Sequence, residues 1–303
     1  MSAARPRPFL KWAGGKSQLL PAILERLPGR VRSGECTRYV EPFVGGGAVF
    51  FHLTGAHHFE ESHIVDANDE LILAYRVIQR DVEALIDRLM AIRDEYLPLA
   101  EEERKAYYYR VREAFNRDRE GMDFDRYRRG WVRRAAQLVF LNRTCFNGLF
   151  RVNADGGFNV PFGRQKNPAI VNADLLRADA AALEKTGIHR GDFTAAERFI
   201  DDRTFVYFDP PYRPLSTTSS FTAYARCGFT DADQHRLAAF FRDCHRKGAC
   251  CMLSNSDPGD HFFDTLYAGF TIERVPARRM INSNGAGRGE INEIIVDNYR
   301  TGR

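Results

Sequence analysis

Along most of this chain, apolar runs of strand length alternate with helical segments, and the runs stop at turns of Gly, Pro, Asp or Asn. That alternation restricts the fold more than any other feature. It predicts an α/β architecture around a mainly parallel sheet. "RYVEPF" (38–43) is an apolar strand entering a Gly-rich turn, and "AVFFHLTG" (48–55) a helix ended by Gly55. "HIVDAN" (63–68) is a second strand, followed by an amphipathic helix over 69–81. "TFVYFDPPY" (204–212) is a buried strand closed by prolines. Thr230 and Asp233 make a capping box for a helix over 230–248, which Gly248 stops. "ACCMLSNS" (249–256), "FTIERVPA" (270–277) and "NEIIVDNY" (292–299) complete the sheet. The last two lack an intervening helix, so they predict an antiparallel hairpin at the sheet edge. Residues 83–170 break the rhythm. They are helical and basic to about 142, then loop-like with Gly, Asn and Pro through 168. The simplest organisation is one sheet domain, residues 1–82 and 171–303, interrupted by an insertion over 83–170.

Composition narrows the function. With 303 residues and 44% hydrophobic content the chain can bury a large core. Cys36, Cys145, Cys227, Cys244, Cys250 and Cys251 form no C-x-x-C pair, so zinc and dithiol motifs are excluded and these cysteines read as small buried apolar residues. No apolar run approaches the roughly 18–20 residues that span a bilayer, and the N-terminus lacks a signal-peptide apolar core. The expectation is a cytoplasmic protein with no metal and no membrane segment. The net charge of +4 is unevenly spread: residues 104–134 carry eleven Lys/Arg against five acids, with Tyr107, Tyr108, Tyr109, Tyr127 and Trp131 interleaved. That segment reads either as a polyanion-binding surface or as a solvated, salt-bridged helical face.

Three motifs carry chemistry. "FLKWAGGKSQLLP" (9–21) contains the Gly-Lys-Ser ending of a P-loop. Leu10 stands where the first glycine is required, and no buried strand precedes it, so two requirements of nucleoside triphosphate hydrolysis fail and the sequence argues against it. In "EPFVGGGAVF" (41–50), Gly45, Gly46 and Gly47 allow a tight turn and close approach of a ligand to a helix N-terminus. Asp66 ends the next strand 21 residues after Gly45, the offset of an acid that bonds ribose hydroxyls. A nucleoside cofactor over these two strand ends follows. Phe50 replaces the third glycine of G-x-G-x-x-G, which argues against a dinucleotide. "DPPY" (209–212) follows the apolar strand directly, at the edge where open α/β sheets bind ligands. Asp209 and the Pro210 carbonyl are acceptors, Pro211 stiffens the turn, and Tyr212 offers a π face. Two acceptors and a ring suit the exocyclic amine of a base. Bonding both N–H groups would draw the nitrogen lone pair out of conjugation and aim it at an electrophilic methyl.

Together, "FLKWAGGKSQLL", "VEPFVGGGAVF", "VDANDEL", "NRTCFNGLFRVN", "FNVPFGR" and "VYFDPPY" resemble, in order and over nearly the whole chain, the Dam-type DNA adenine-N6 methyltransferases. The resemblance implies a Rossmann-like sheet that uses S-adenosyl-L-methionine, with an inserted, mainly helical DNA-recognition domain. Trp12, Lys16, Glu41, Phe43, Gly45, Gly47, Asp66, Asp192, Phe193 and Asp209 would form the cofactor site. Trp12 and Phe43 also have an ordinary reading as core aromatics. Asp209, Pro210, Pro211 and Tyr212 would hold a target adenine flipped from duplex DNA. Lys11, Phe146, Asn147, Leu149, Arg151, Pro161 and Gln165 would contact DNA. Phe146 stands where relatives often have tyrosine, in the space left by the flipped base. Leu149, Arg151 and Pro161 match positions that read GATC, whereas Gln165 departs from a tyrosine. Asn153 and Asn159 read as turn residues. The implied activity is direct in-line methyl transfer to adenine N6, by a monomer without an obligate protein partner. Cytosine-N4 methylation, a nicotinamide-dependent oxidoreductase and a catalytically silent DNA-binding protein are the rival readings; Asp rather than Ser before Pro-Pro favours adenine over cytosine.

Overall fold

The computed structural model describes residues 4–16, 18–153, 155–213, 228–277 and 291–299; Ser17 and Cys227 lie outside them. Among the described residues seven strands form one mixed sheet. They are β1 (Arg38–Glu41), β2 (Glu61–Asp66), β3 (Thr186–Arg190), β4 (Thr204–Phe208), β5 (Cys250–Ser256), β6 (Thr271–Ala277) and β7 (Ile291–Asp297). Their order is β3-β2-β1-β4-β5-β7-β6. The helices are α1 (Leu20–Glu25), α2 (Gly29–Arg32), α3 (Ala48–Ala56), α4 (Asp69–Tyr96), α5 (Glu101–Arg117), α6 (Gly130–Thr144), α7 (Ala173–Leu183), α8 (Asp231–Arg246) and α9 (Phe262–Leu266). No described helix is long and apolar enough to cross a membrane. The chain divides into two compact units: Met1–Gly15, Gly45–Gly55 and Asn68–Arg190 form the first, and Lys16–Val44, Ala56–Ala67 and Gly191–Arg303 the second.

In the second unit β1 pairs in parallel with β2 (Arg38↔Glu61) and with β4 (Arg38↔Thr204), and β4 with β5 (Phe205↔Cys250). Every residue of β4 and β5 is buried, because a central parallel strand is covered on both faces. That is why "FVYF" (205–208) and "CCML" (250–253) are unbroken apolar runs. β6 and β7 form the expected antiparallel hairpin, but β7 also pairs antiparallel with β5 (Leu253↔Val296), leaving β6 at the edge. The capping box of α8 is present: Asp233 N–H bonds the Thr230 hydroxyl, and the Asp233 carboxylate accepts the Thr230 N–H. Val40, Val206, Phe208, Leu237, Phe241, Leu253, Ile294 and Val296 share one core.

The first unit is mainly helical. The helix expected over 69–81 continues to Tyr96, bending at Asp81, where φ is −138°. Leu85, Ile86, Leu89 and Ile92 prolong its buried stripe beyond the bend, so burial carries the helix past the residue that local geometry would stop it at. β3 was not legible as a strand. "TGIHR" buries only two of five positions and offers no apolar run. The described residues among 145–162 form a loop held by isolated antiparallel bridges, Cys145↔Phe162 and Val152↔Phe158. Helix α5 backs it. The Tyr108 hydroxyl donates to the Val160 carbonyl at 2.7 Å, and Asn116 bonds both backbone groups of Phe158. Much of the 104–134 charge is also engaged internally. Arg134 and Arg119 pair with Glu70, Arg133 with Asp118, and Arg128 with Asp123.

Candidate active site

β4 delivers Asp209 to the carboxyl end of the sheet, where buried groups converge on it. The Lys16 ammonium lies 2.6 Å from Asp209 Oδ1, and the Ser254 hydroxyl donates to the same oxygen at 3.2 Å. Tyr207 Oη lies 2.8 Å from Ser254 Oγ. Lys16 Nζ also stands 4.4 Å from the centre of the Tyr212 ring, within cation–π range. The Tyr212 hydroxyl donates to Glu293 Oε2 at 2.8 Å. Pro210 is buried and Pro211 half-buried. Burial pushes the Asp209 carboxyl above the usual carboxylate range, and the Lys16 charge opposes that rise. One ammonium thus meets a carboxylate oxygen and an aromatic face together, the two partners that an amine conjugated to a ring needs.

Glu41 closes β1 in full burial and accepts the Tyr39 hydroxyl at 2.6 Å. Burial holds its carboxyl well above the usual range, with Asp209 and Asp66 pushing the same way and Lys16 opposing. Asp66 closes β2, and its carbonyl accepts the Gly191 N–H at 3.0 Å. Asp192 accepts the Thr194 N–H and pairs with Arg236 at 3.2 Å. Phe43 stacks on Phe193 with ring centres 5.4 Å apart, and Phe193 belongs to the core.

In the first unit, Trp12 packs on the glycine loop and stacks on Phe150 at 5.1 Å. A Cβ at Gly46 would stand 3.0 Å from Trp12 Cβ; one at Gly47, where φ is +74°, would stand 2.5 Å from the Tyr75 hydroxyl. That hydroxyl donates to the Gly45 carbonyl at 3.0 Å. Packing inside the protein therefore already requires small residues here. Asn142 on α6 accepts the Lys11 N–H at 2.8 Å and donates to the carbonyls of Lys11 (2.9 Å) and Gly148 (3.0 Å). Lys11 is thereby tied to the loop that carries the DNA-side candidates. In that loop Phe146 is 52% exposed, an unusual state for a large apolar ring, and its N–H bonds the Pro161 carbonyl. Asn147 has φ 57°, a turn conformation. Arg151 Nε donates to Asn159 Oδ1 at 2.7 Å. Leu149 is half-buried and Pro161 exposed. Gln165 turns inward, donating to the Cys145 carbonyl at 2.8 Å, while its own Oε1 is buried without a hydrogen bond.

Sequence reasoning passed over Ser254, Glu293, Asn142 and Tyr75. Each reaches a group far along the chain: Asn142 to Lys11, Tyr75 to Gly45, Ser254 to Asp209 and Glu293 to Tyr212. Only Ser254 left a signal: "SNS" ends a strand that is otherwise apolar, and polar side chains buried in a central strand need partners.

A mixed sheet with its seventh strand set antiparallel between the fifth and sixth, and an Asp-Pro-Pro-Tyr turn after its fourth, is the architecture of a methyltransferase. Comparison with known proteins gives the narrower answer. The family model for D12 class N6 adenine-specific DNA methyltransferases matches residues 12–281. The chain is 48% identical to the type II methyltransferase M.MjaIII of Methanocaldococcus jannaschii, over 97% of this chain and 99% of that protein. It is 41% identical to the type II methyltransferase M1.LlaDCHI of Lactococcus lactis, over 97% and 95%. With the DNA adenine methylase of Escherichia coli K12 it shares 35% identity over 96% and 94%. This chain belongs to the D12 class of N6 adenine-specific DNA methyltransferases, and it methylates adenine N6 in DNA. The cytosine, oxidoreductase and silent-binder readings give way to that membership.

Proposed function

We propose that the protein takes its methyl group from S-adenosyl-L-methionine and methylates the adenine of GATC in duplex DNA, flipping that base out of the stack. The observation that carries this reading is the meeting of Lys16, Asp209 and Tyr212. An N–H donor already occupies an Asp209 oxygen beneath a π face. Asp209 and the Pro210 carbonyl accept the two N–H groups of the target amine, and Tyr212 packs on the base. The chain's groups suit the cofactor. Asp66 and Glu41 end adjacent strands as acceptors for ribose hydroxyls and neighbours for a cationic centre, and Phe43 with Phe193 offers aromatic surface. Trp12, Lys16, Gly45, Gly47 and Asp192 complete that set. When bound, the cofactor supplies an electrophilic methyl on sulfur. The nucleophile needs no external base before attack, because bonding both N–H groups frees the lone pair.

Residues 83–170 serve as the recognition insertion and residues 1–82 and 171–303 as the catalytic domain of a cytoplasmic monomer. Exposed Phe146 fills the gap left by the flipped base. Lys11, Asn147, Leu149, Arg151 and Pro161 meet the DNA, with Arg151 bidentate to a guanine. Gln165 is bonded inward to the Cys145 carbonyl with its Oε1 buried, so it meets the DNA only by turning out of that bond. Labelled methyl transfer followed by nucleoside analysis, and mapping of methylated sites in a methylation-free host, test the reading. The expected result is N6-methyladenine confined to GATC; a different site overturns the specificity. Asp209→Ala should abolish transfer in a folded protein, and near-normal turnover would remove Asp209 from the chemistry.

A further inference from the structure

Two adjacent prolines leave the catalytic turn unable to hold itself. Pro210 and Pro211 have no N–H, so the backbone that sets the direction of Tyr212 lacks two donors. A pair of buried side-chain amides takes over. Gln234, in the first turn of α8, and Asn255, near the end of β5, are 1% and 0% exposed. Asn255 Oδ1 accepts the N–H groups of Arg213 (3.1 Å) and Ser256 (2.9 Å). Its Nδ2 must then point away, and it donates to Gln234 Oε1 at 3.4 Å. Gln234 Nε2 is left facing the Pro211 carbonyl, to which it donates at 3.4 Å. The Ser256 hydroxyl fastens the Arg213 carbonyl at 2.6 Å. Backbone polarity thus dictates the orientation of both amides from end to end. The Pro211 carbonyl and the Arg213 N–H belong to the two peptide planes that flank Tyr212. Fixing both planes fixes the Tyr212 Cα–Cβ direction, and Glu293 fixes the far end of its ring.

We infer that Gln234 and Asn255 are positioning residues for methyl transfer, orienting Tyr212 through the backbone on either side of it. This rests on the assignment of Tyr212 to the target base. Gln234→Met keeps length and removes both amide bonds. It should lower kcat about 10- to 100-fold, the scale of a small misplacement at a reacting centre. The KM for DNA, the cofactor Kd and the melting temperature should stay close to wild type. Gln234→Glu keeps the acceptor for Asn255 and can donate to Pro211 only when protonated. Burial favours that neutral form, so the ratio of Gln234→Glu to wild-type kcat should fall as pH rises. In a Tyr212→Ala background Gln234→Met should have little further effect, since coupled sites are non-additive. Wild-type kcat in folded Gln234→Met, or a full additive loss in the double variant, overturns the inference. Should Gln234→Met not fold, a pH-independent ratio for Gln234→Glu overturns it instead. If Tyr212→Ala itself leaves kcat intact, the base assignment falls and the inference with it. If Tyr212→Ala is impaired and Gln234→Met is not, only the inference falls.

Discussion

The Lys16–Asp209 pair makes the acid side of the pH profile informative. In the proposed mechanism transfer needs Asp209 as a carboxylate, and burial lifts its pKa above the ordinary range. As pH falls, activity should therefore be lost sooner than an unperturbed aspartate would allow. Lys16 opposes that rise, so Lys16→Met removes a charge that favours the carboxylate and should move the acid limb to higher pH. A pH series of single-turnover rates reads the shift; a limb that moves to lower pH contradicts the assigned coupling. Asp66 makes a separable prediction. In the proposed cofactor site Asp66→Ala deletes a charged acceptor for ribose, a bond worth roughly 1.5–3 kcal/mol. Calorimetry should show cofactor affinity weakened by that amount, and an unchanged Kd would remove Asp66 from the site.

Among the elements, α4 has the most to organise. Asn68 caps it, and Asp69 and Glu70 place negative charge in its first turn, where the helix dipole favours it. Those two acids then reach three elements. Glu70 bonds Arg134 of α6 at 2.5 Å and Arg119, just beyond α5, at 2.7 Å; Asp69 bonds Arg190 at the end of β3 at 3.0 Å. Arg134 and Glu70 are almost wholly buried, so neither can turn to water if its partner goes. Glu70→Ala should thus cost about 3–5 kcal/mol of stability, the usual result of breaking a buried pair. Urea unfolding measures it. A loss below about 1 kcal/mol, the range of exposed pairs, would show that the network is incidental.

For the whole molecule the question is where affinity for DNA ends and choice of sequence begins. A phosphate contact, when lost, weakens all DNA alike and lowers the salt slope; a base contact relaxes one position. Arg151 tests the difference. Its Nε is held by Asn159, which orients the guanidinium in an exposed loop. Arg151→Ala should keep cofactor binding, slow methylation of the cognate duplex by about 1–3 kcal/mol, and tolerate substitution at one base pair. Rates on duplexes carrying each single-base change decide it. Uniform slowing would make Arg151 a backbone anchor.

What the chain determines locally could be read from it directly. Strand runs that must be apolar on both faces, caps such as Thr230 and Asp233, and the Asp-Pro-Pro-Tyr turn act over a few residues, and all four turn residues were legible for that reason. The reach of α4 was not, because its continuation past Asp81 is decided by burial of a stripe that only its packing partners create. Nor was β3, which has too little apolar surface to announce a strand. The same holds for the groups around the Asp-Pro-Pro-Tyr turn. Ser254, Glu293, Gln234 and Asn255 are separated from residues 209–213 by 21 to 84 positions, and even the polar "SNS" that ends β5 does not say which groups it meets. They meet because β4 and β5 end, and β7 and α8 begin, at one edge of the sheet. Which polar atoms face one another there is set by strand register and helix packing, and these exist only once the chain has folded.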